Sequence, residues 1–152
     1  MTDVGSMAPD VSFDLADGSR AALAVYRGKP LVVYFYPKDD TTGCTNEAKA
    51  FSALSAEFQK AGIAVLGMSK DSVKSHAKFI AKYDLKVTLG CDADGSVCDA
   101  FGVWVEKSMY GKTYFGIERA TFLIDADGRI TQIWRKVKVP GHAESVLASA
   151  TV

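Results

Sequence analysis

The chain has 152 residues, 48% hydrophobic and 24% charged, which suits one folded domain (residues 1–152) with a sizeable core. Its 18 basic and 18 acidic side chains cancel, so no global field draws it to nucleic acid or to an anionic membrane. Three cysteines without a CxxC pair argue against a disulfide scaffold or a zinc site and suit a reducing cytoplasm.

Met1 to Leu15 lacks a basic start followed by an apolar core, so no signal peptide is expected. No apolar run approaches the roughly 20 residues that span a bilayer. Ala16-Asp17-Gly18-Ser19 reads as a hairpin turn between a Ser12–Leu15 strand and a short segment near Leu23–Tyr26. Gly28-Lys29-Pro30 breaks the chain. Leu31 to Tyr36 is then a continuous β-branched and aromatic run, the pattern of a strand buried on both faces.

A polar turn follows, with Lys38, Asp39 and Asp40 read as solvated. Residues 44–61 carry Ala48, Phe51, Leu54, Phe58 and Ala61 at spacings of three and four, which predicts one helix ending at Gly62. Ile63–Met68 reads as a second buried strand. Asp71-Ser72 caps a predicted helix over Val73–Tyr83, with Val73, Ala77 and Ile80 on its apolar face. Val87–Leu89 is a short strand, and Ser96 caps a short helix through Phe101. Val105 to Gly116 reads as a polar, glycine-bearing stretch. Two strands, Arg119–Ile124 and Arg129–Trp134, flank a turn at Asp127-Gly128. A helix from about His142 closes the chain. This order predicts an α/β, thioredoxin-like fold: a mixed central sheet with helices on both faces and an N-terminal β-hairpin.

The chemistry concentrates at Cys44, on a strand-to-helix junction. A thiolate is the nucleophilic form, and the unpaired N–H groups and dipole of a helix N-terminus favour it. Thr41, three residues earlier, can bring its hydroxyl to the sulfur. Pro37 ends the strand and shapes a pocket wall without offering a donor. Glu47, one turn on, can accept from an arginine and hold it over the thiolate. A lone cysteine is most often a small buried hydrophobe, but the junction favours reactivity.

Pro37, Thr41 and Cys44 form PxxxTxxC, which resembles the peroxiredoxin signature. The wider text YFYPKDDTTGCTNEAKAF resembles the peroxiredoxin Q subfamily, also called bacterioferritin comigratory protein. DADGSVCDAFGVW, EKSMYGKTY and ERATFLIDADGRI extend the likeness over nearly the whole chain. The resemblance implies a thiol-dependent peroxidase that uses no cofactor or metal. Cys44 would be the peroxidatic cysteine, Thr41 would hydrogen-bond the peroxide, Pro37 would shield the pocket, and Arg119 would stabilise thiolate and transition state. By residue type alone, Arg119 reads as a surface charge at a strand start. The subfamily also implies a monomer, or at most a weak dimer.

The chain departs from its relatives after the first step. The resolving cysteine that many place five residues after the first is Lys49 here, and Asp71–Leu85 holds none. Cys98 reads as core packing. Cys91, after a strand, is the better placed of the two to act as an unorthodox resolver. The leading expectation is a one-cysteine cycle, reset by an external thiol: a small molecule, or a thioredoxin- or glutaredoxin-like protein. A monothiol disulfide oxidoreductase is the second reading, since threonine replaces the first cysteine of CxxC. A non-enzymatic interaction module is the third, and it leaves Pro37, Thr41 and Arg119 unexplained together. Tyr36, Phe79, Phe101, Trp104, Tyr110 and Phe115 are expected as core or as an apolar collar to the pocket. His76 and His142, far apart and without a motif, read as surface helix residues and argue against a histidine metal centre.

Overall fold

The computed structural model describes residues 2–152. Its centre is a seven-stranded sheet. In chain order the strands of this sheet are β1 (Ser12–Leu15), β2 (Arg20–Ala22), β3 (Leu31–Phe35), β4 (Ala64–Ser69), β5 (Thr88–Cys91), β8 (Ala120–Ile124) and β9 (Ile130–Trp134). They lie in the order β2-β1-β5-β4-β3-β8-β9. The three middle strands, β5, β4 and β3, run parallel, and the outer ones pair antiparallel. Strands β6 (Trp104–Met109) and β7 (Lys112–Ile117) form a separate two-stranded ribbon.

Every residue of β3 is buried, as its β-branched and aromatic text requires. Alternation divides them between two cores. Leu31, Val33 and Phe35 join Leu66, Met68, Phe101 and Phe122 on one face. Val32, Tyr34 and Tyr36 join Phe51, Phe58, Phe79 and Val146 on the other. That second core is roofed by helices α1 (Thr42–Ala53), α2 (Ser55–Lys60), α3 (Val73–Tyr83) and α5 (His142–Ala150). The first is covered by α4 (Ser96–Ala100) and the N-terminal segment. The predicted α/β class, with helices on both faces and an N-terminal hairpin, is what the chain adopts.

Four local expectations change. The second strand of the first hairpin is Arg20–Ala22, and Leu23–Tyr26 is a turn of 3-10 helix that buries Leu23. The single helix over residues 44–61 is two, because Leu54 (φ −98°, ψ 6°) breaks the α conformation. The apolar spacing from Phe51 through Leu54 to Phe58 runs through this break, so both pieces face one core. Helix α3 is capped by Ser72, whose Oγ accepts from the Ser75 N–H (3.1 Å), but it buries His76 and Phe79 while Ala77 is exposed. The stretch from Val105 to Gly116 is the β6–β7 ribbon, whose tip carries Tyr110 (97% exposed) and whose flank carries Phe115 (60% exposed). Those two and the half-exposed Trp104 lie outside the core, whereas Tyr36, Phe79 and Phe101 lie in it.

No helix among the described residues is long and apolar enough to cross a membrane.

Candidate active site

Strand β3 ends at Phe35, and Tyr36 still donates its N–H to the Met68 carbonyl (3.2 Å) before the exposed Pro37 turns the chain. Helix α1 starts at Thr42, with Thr41 as its N-cap in extended conformation. The first bond of the helix runs from the Thr45 N–H to the Thr41 carbonyl (2.8 Å). Cys44 is therefore the third residue of the first turn, among N–H groups that have no partner within the helix. It is 1% exposed.

Arg119 comes from far along the chain. Strand β8 pairs antiparallel with β3, and its first residue, Ala120, is opposite Phe35. The residue before it necessarily emerges where β3 gives way to the α1 loop. There the guanidinium forks: Nη2 donates to Cys44 Sγ (3.3 Å) and Nη1 to Glu47 Oε1 (2.7 Å). Glu47 is 1% exposed and its second oxygen, Oε2, has no partner; nor has the Tyr34 hydroxyl in the same core. Gly43 makes room, since a Cβ there would stand 3.2 Å from Arg119 Nη2.

Burial pushes the Glu47 carboxyl up to about 7, although Arg119 pulls it down. Burial alone would lower the Arg119 value, and Glu47 and then Cys44 more than offset it, so it rises. The pair is held as a guanidinium facing a carboxylate whose charge is costly to keep. Lys107, on β6, is lowered by burial and then by Arg119, and raised by Cys44 and Glu118.

Thr41 lies differently from expectation: its Oγ1 donates to the Lys38 carbonyl (2.9 Å) rather than to the sulfur. Of the turn read as solvated, Lys38 and Asp40 are exposed but Asp39 is buried. Both histidines are buried as well, His76 completely, because α3 and α5 pack those faces onto the sheet. His142 Nε2 meets Thr121 Oγ1 (2.8 Å), and the ring stands edge-on to Phe51 and Trp134.

The two other cysteines are buried and free. Cys98 sits in the core on the far side of the sheet from Cys44. Cys91 ends β5, separated from β3 by β4. Burial raises both thiols, Asp92 adding to it at Cys98. Among the described residues, one trio of potential ligating groups converges: Asp39, Asp71 and His76, with atoms within 4.8 Å of one another. Each is already committed to hydrogen bonds, and His76 Nε2 lies on the Gly90 carbonyl oxygen (2.9 Å).

Residues 4–133 match the AhpC/TSA family. The chain belongs to that family. It is 50% identical to Peroxiredoxin Bcp of Xanthomonas campestris pv. campestris over 98% of its own length and 96% of the relative's. A solved structure of peroxiredoxin Q from Xanthomonas campestris superposes with a TM-score of 0.91 at 48% identity, covering 99% of this chain and 95% of that one. Another structure, of the Xanthomonas campestris bacterioferritin comigratory protein and its alkyl peroxide reduction activity, gives a TM-score of 0.91 at 47% identity, covering 99% and 96%. The chain is thus a peroxiredoxin of the Bcp/Q type, a thiol-dependent peroxidase on a thioredoxin fold.

Arg119 was legible by motif and Glu47 by its place one turn beyond Cys44, and the structure brings Arg119 onto both Glu47 and Cys44. Gly43, Lys107 and Tyr34 were not singled out. Gly43 had a signal, a glycine directly before the cysteine. Lys107 had one only as part of EKSMYGKTY.

Proposed function

We propose that Cys44 is the peroxidatic cysteine, reducing hydrogen peroxide and organic hydroperoxides in a one-cysteine cycle. The observation that carries this is the Arg119 fork, one arm on Cys44 Sγ and the other on Glu47 Oε1. The thiolate attacks one peroxide oxygen. The O–O bond breaks, the other oxygen leaves as hydroxide or alkoxide and takes a proton, and Cys44 becomes a sulfenic acid. Charge grows on the leaving oxygen, so donors fixed beforehand stabilise the transition state more than the ground state. Arg119 and the first-turn N–H groups of α1 are such donors. In this reading Thr41 orients the peroxide and Pro37 walls the site. Organic hydroperoxides are included because alkyl peroxide reduction is described for the Xanthomonas campestris protein.

The second half of the cycle uses an external thiol. It attacks the sulfenic sulfur and expels water, leaving a mixed disulfide; a second thiol reduces that to Cys44 and an external disulfide. Two placements support an external partner. Cys98 faces the opposite core from Cys44, and Cys91 ends β5, with β4 between it and the strand that leads to Cys44. A thioredoxin- or glutaredoxin-like protein, or a small cytoplasmic thiol, then reaches the buried sulfur once the first turn of α1 yields. The chain works as a monomer.

Stopped-flow mixing with hydrogen peroxide and an alkyl hydroperoxide tests the first half. A Cys44 that reacts no faster than a free thiol refutes it. Intact mass after one equivalent of peroxide tests the second. A Cys44 adduct with a sulfenic-acid trap is expected, and a Cys44–Cys91 or Cys44–Cys98 disulfide refutes the one-cysteine cycle.

A further inference from the structure

The loop that delivers Cys44 to its helix is tied down by α3 at two points. Asp40, in left-handed conformation (φ 59°), accepts from Lys82 Nζ (2.7 Å) and from the Tyr83 hydroxyl at the end of α3. Asp39 reaches the beginning of the same helix. Its Oδ2 accepts from Ser75 Oγ (2.8 Å) and lies 2.7 Å from His76 Nδ1. Its Oδ1 accepts from the Tyr36 hydroxyl (2.6 Å), and its N–H donates to Asp71 Oδ2 (2.8 Å).

A proton count follows from these partners. The Gly90 oxygen, 2.9 Å from His76 Nε2, can only accept, so Nε2 carries a hydrogen. Nδ1 faces a carboxylate oxygen at hydrogen-bond distance, and two lone pairs do not approach so closely. A second proton lies between them. Apart from the ring, Asp39 has two donors directed at it, the Tyr36 hydroxyl on Oδ1 and Ser75 Oγ on Oδ2, which suits a carboxylate. The proton therefore belongs to the ring. The side chains are 0% and 3% exposed, so this is an ion pair sealed from water.

We propose that Asp39 and His76 are positioning residues for Cys44, a buried carboxylate–imidazolium pair that fixes the loop between Pro37 and Thr41. The inference rests on Cys44 being the reacting group. Thr41 Oγ1 closes the same loop onto the Lys38 carbonyl, so Asp39 holds a unit that runs directly into the first turn of α1. Freeing that unit shifts the cysteine against Arg119, and a misplacement of about 1 Å costs on the order of 100-fold in rate. The other ionisable groups around the pair leave it intact. Tyr36, directly after β3, is pushed far up by burial and remains a donor. Cys91, from β5, is pushed up by burial and stays a thiol. Asp71 is occupied by Ser69 Oγ and the Asp39 N–H. Lys74, Lys78 and Lys82 of α3 line the groove outside Asp39 and Asp40.

The chain has two histidines, so ¹⁵N spectra resolve both rings. In the folded wild type, His76 is expected with both nitrogens protonated, as its two partners require. In Asp39→Asn the amide donates to Nδ1 and to Ser75 Oγ while its oxygen still accepts from Tyr36. His76 then becomes the neutral Nε2–H form with no bond lost. This variant is expected to react with hydrogen peroxide within about threefold of wild type, whereas Asp39→Ala is slowed by about tenfold or more. Ser75→Ala removes one donor and is expected to slow the reaction by about two- to fivefold; it keeps the test open if Asp39→Ala does not fold. A singly protonated wild-type His76 overturns the proposal. So does a folded Asp39→Ala or a Ser75→Ala that reacts at the wild-type rate. A wild type inert to peroxide defeats the reading of Cys44 instead, since the ring spectrum is read without substrate.

Discussion

Glu47→Gln separates the two forces acting on the acid that holds Arg119. Burial disfavours the carboxylate, and the guanidinium at 2.7 Å favours it. Burial wins, lifting the carboxyl from 4.5 to about 7. The folded protein then binds this proton more tightly than the unfolded chain does. Its contribution to stability is complete below pH 4.5 and is lost as pH rises through about 7. Each unit is worth about 1.4 kcal/mol, so the shift from 4.5 to about 7 amounts to at most about 3.5 kcal/mol across that window. Glutamine cannot titrate and keeps one oxygen to accept from Arg119. Urea unfolding of both proteins at intervals from pH 4.5 to 8 should therefore show wild type losing stability relative to Glu47→Gln as pH rises. A difference that stays flat, or that grows in favour of wild type, refutes the reasoning and makes the ion pair the stronger term.

Arg119→Lys should cut the peroxide rate by about 100-fold or more in stopped-flow assays, because a single ammonium cannot serve Cys44 and Glu47 together. Gly67→Ala should cost about 1–3 kcal/mol in denaturant unfolding, since its Cβ would stand 2.7 Å from the Tyr34 ring and hydroxyl. Burial depresses His142, so the stability it confers as a neutral ring is lost as pH falls below 6.5; His142→Gln should flatten that acid limb in thermal melts. Lys49→Cys places a thiol five residues after Cys44, about 7.5 Å along the helix axis. Peroxide should close that disulfide only with a loss of helical circular dichroism.

The sheet was readable because its strands carry their own signals: unbroken apolar text in β3, largely apolar text in β4 and β8, and Asp-Gly turns before β2 and β9. The break at Leu54 was hidden because the apolar spacing runs through it unchanged. The β6–β7 ribbon was hidden for the opposite reason: with much of both faces exposed, it has no alternating pattern to read. Asp39 and His76 show a different limit. An aspartate in a polar turn looks solvated, and only the packing of α3, more than thirty residues later, closes water away from it. Thr41 was read as part of the turn before Cys44, with its hydroxyl at the sulfur; it is the N-cap of α1, and its hydroxyl donates to the Lys38 carbonyl instead.

The ribbon has a thermodynamic consequence of its own. Residues 104–117 share no ladder with the seven-stranded sheet, so their backbone amides answer to a local equilibrium rather than to global unfolding. Hydrogen exchange there should be fast while β3 and β8 remain protected. Lys107 belongs to that ribbon, so a cation whose proton affinity Arg119 and Cys44 both affect sits on the less protected element. The arginine that touches the sulfur is instead the residue directly before β8 and stays anchored to the sheet.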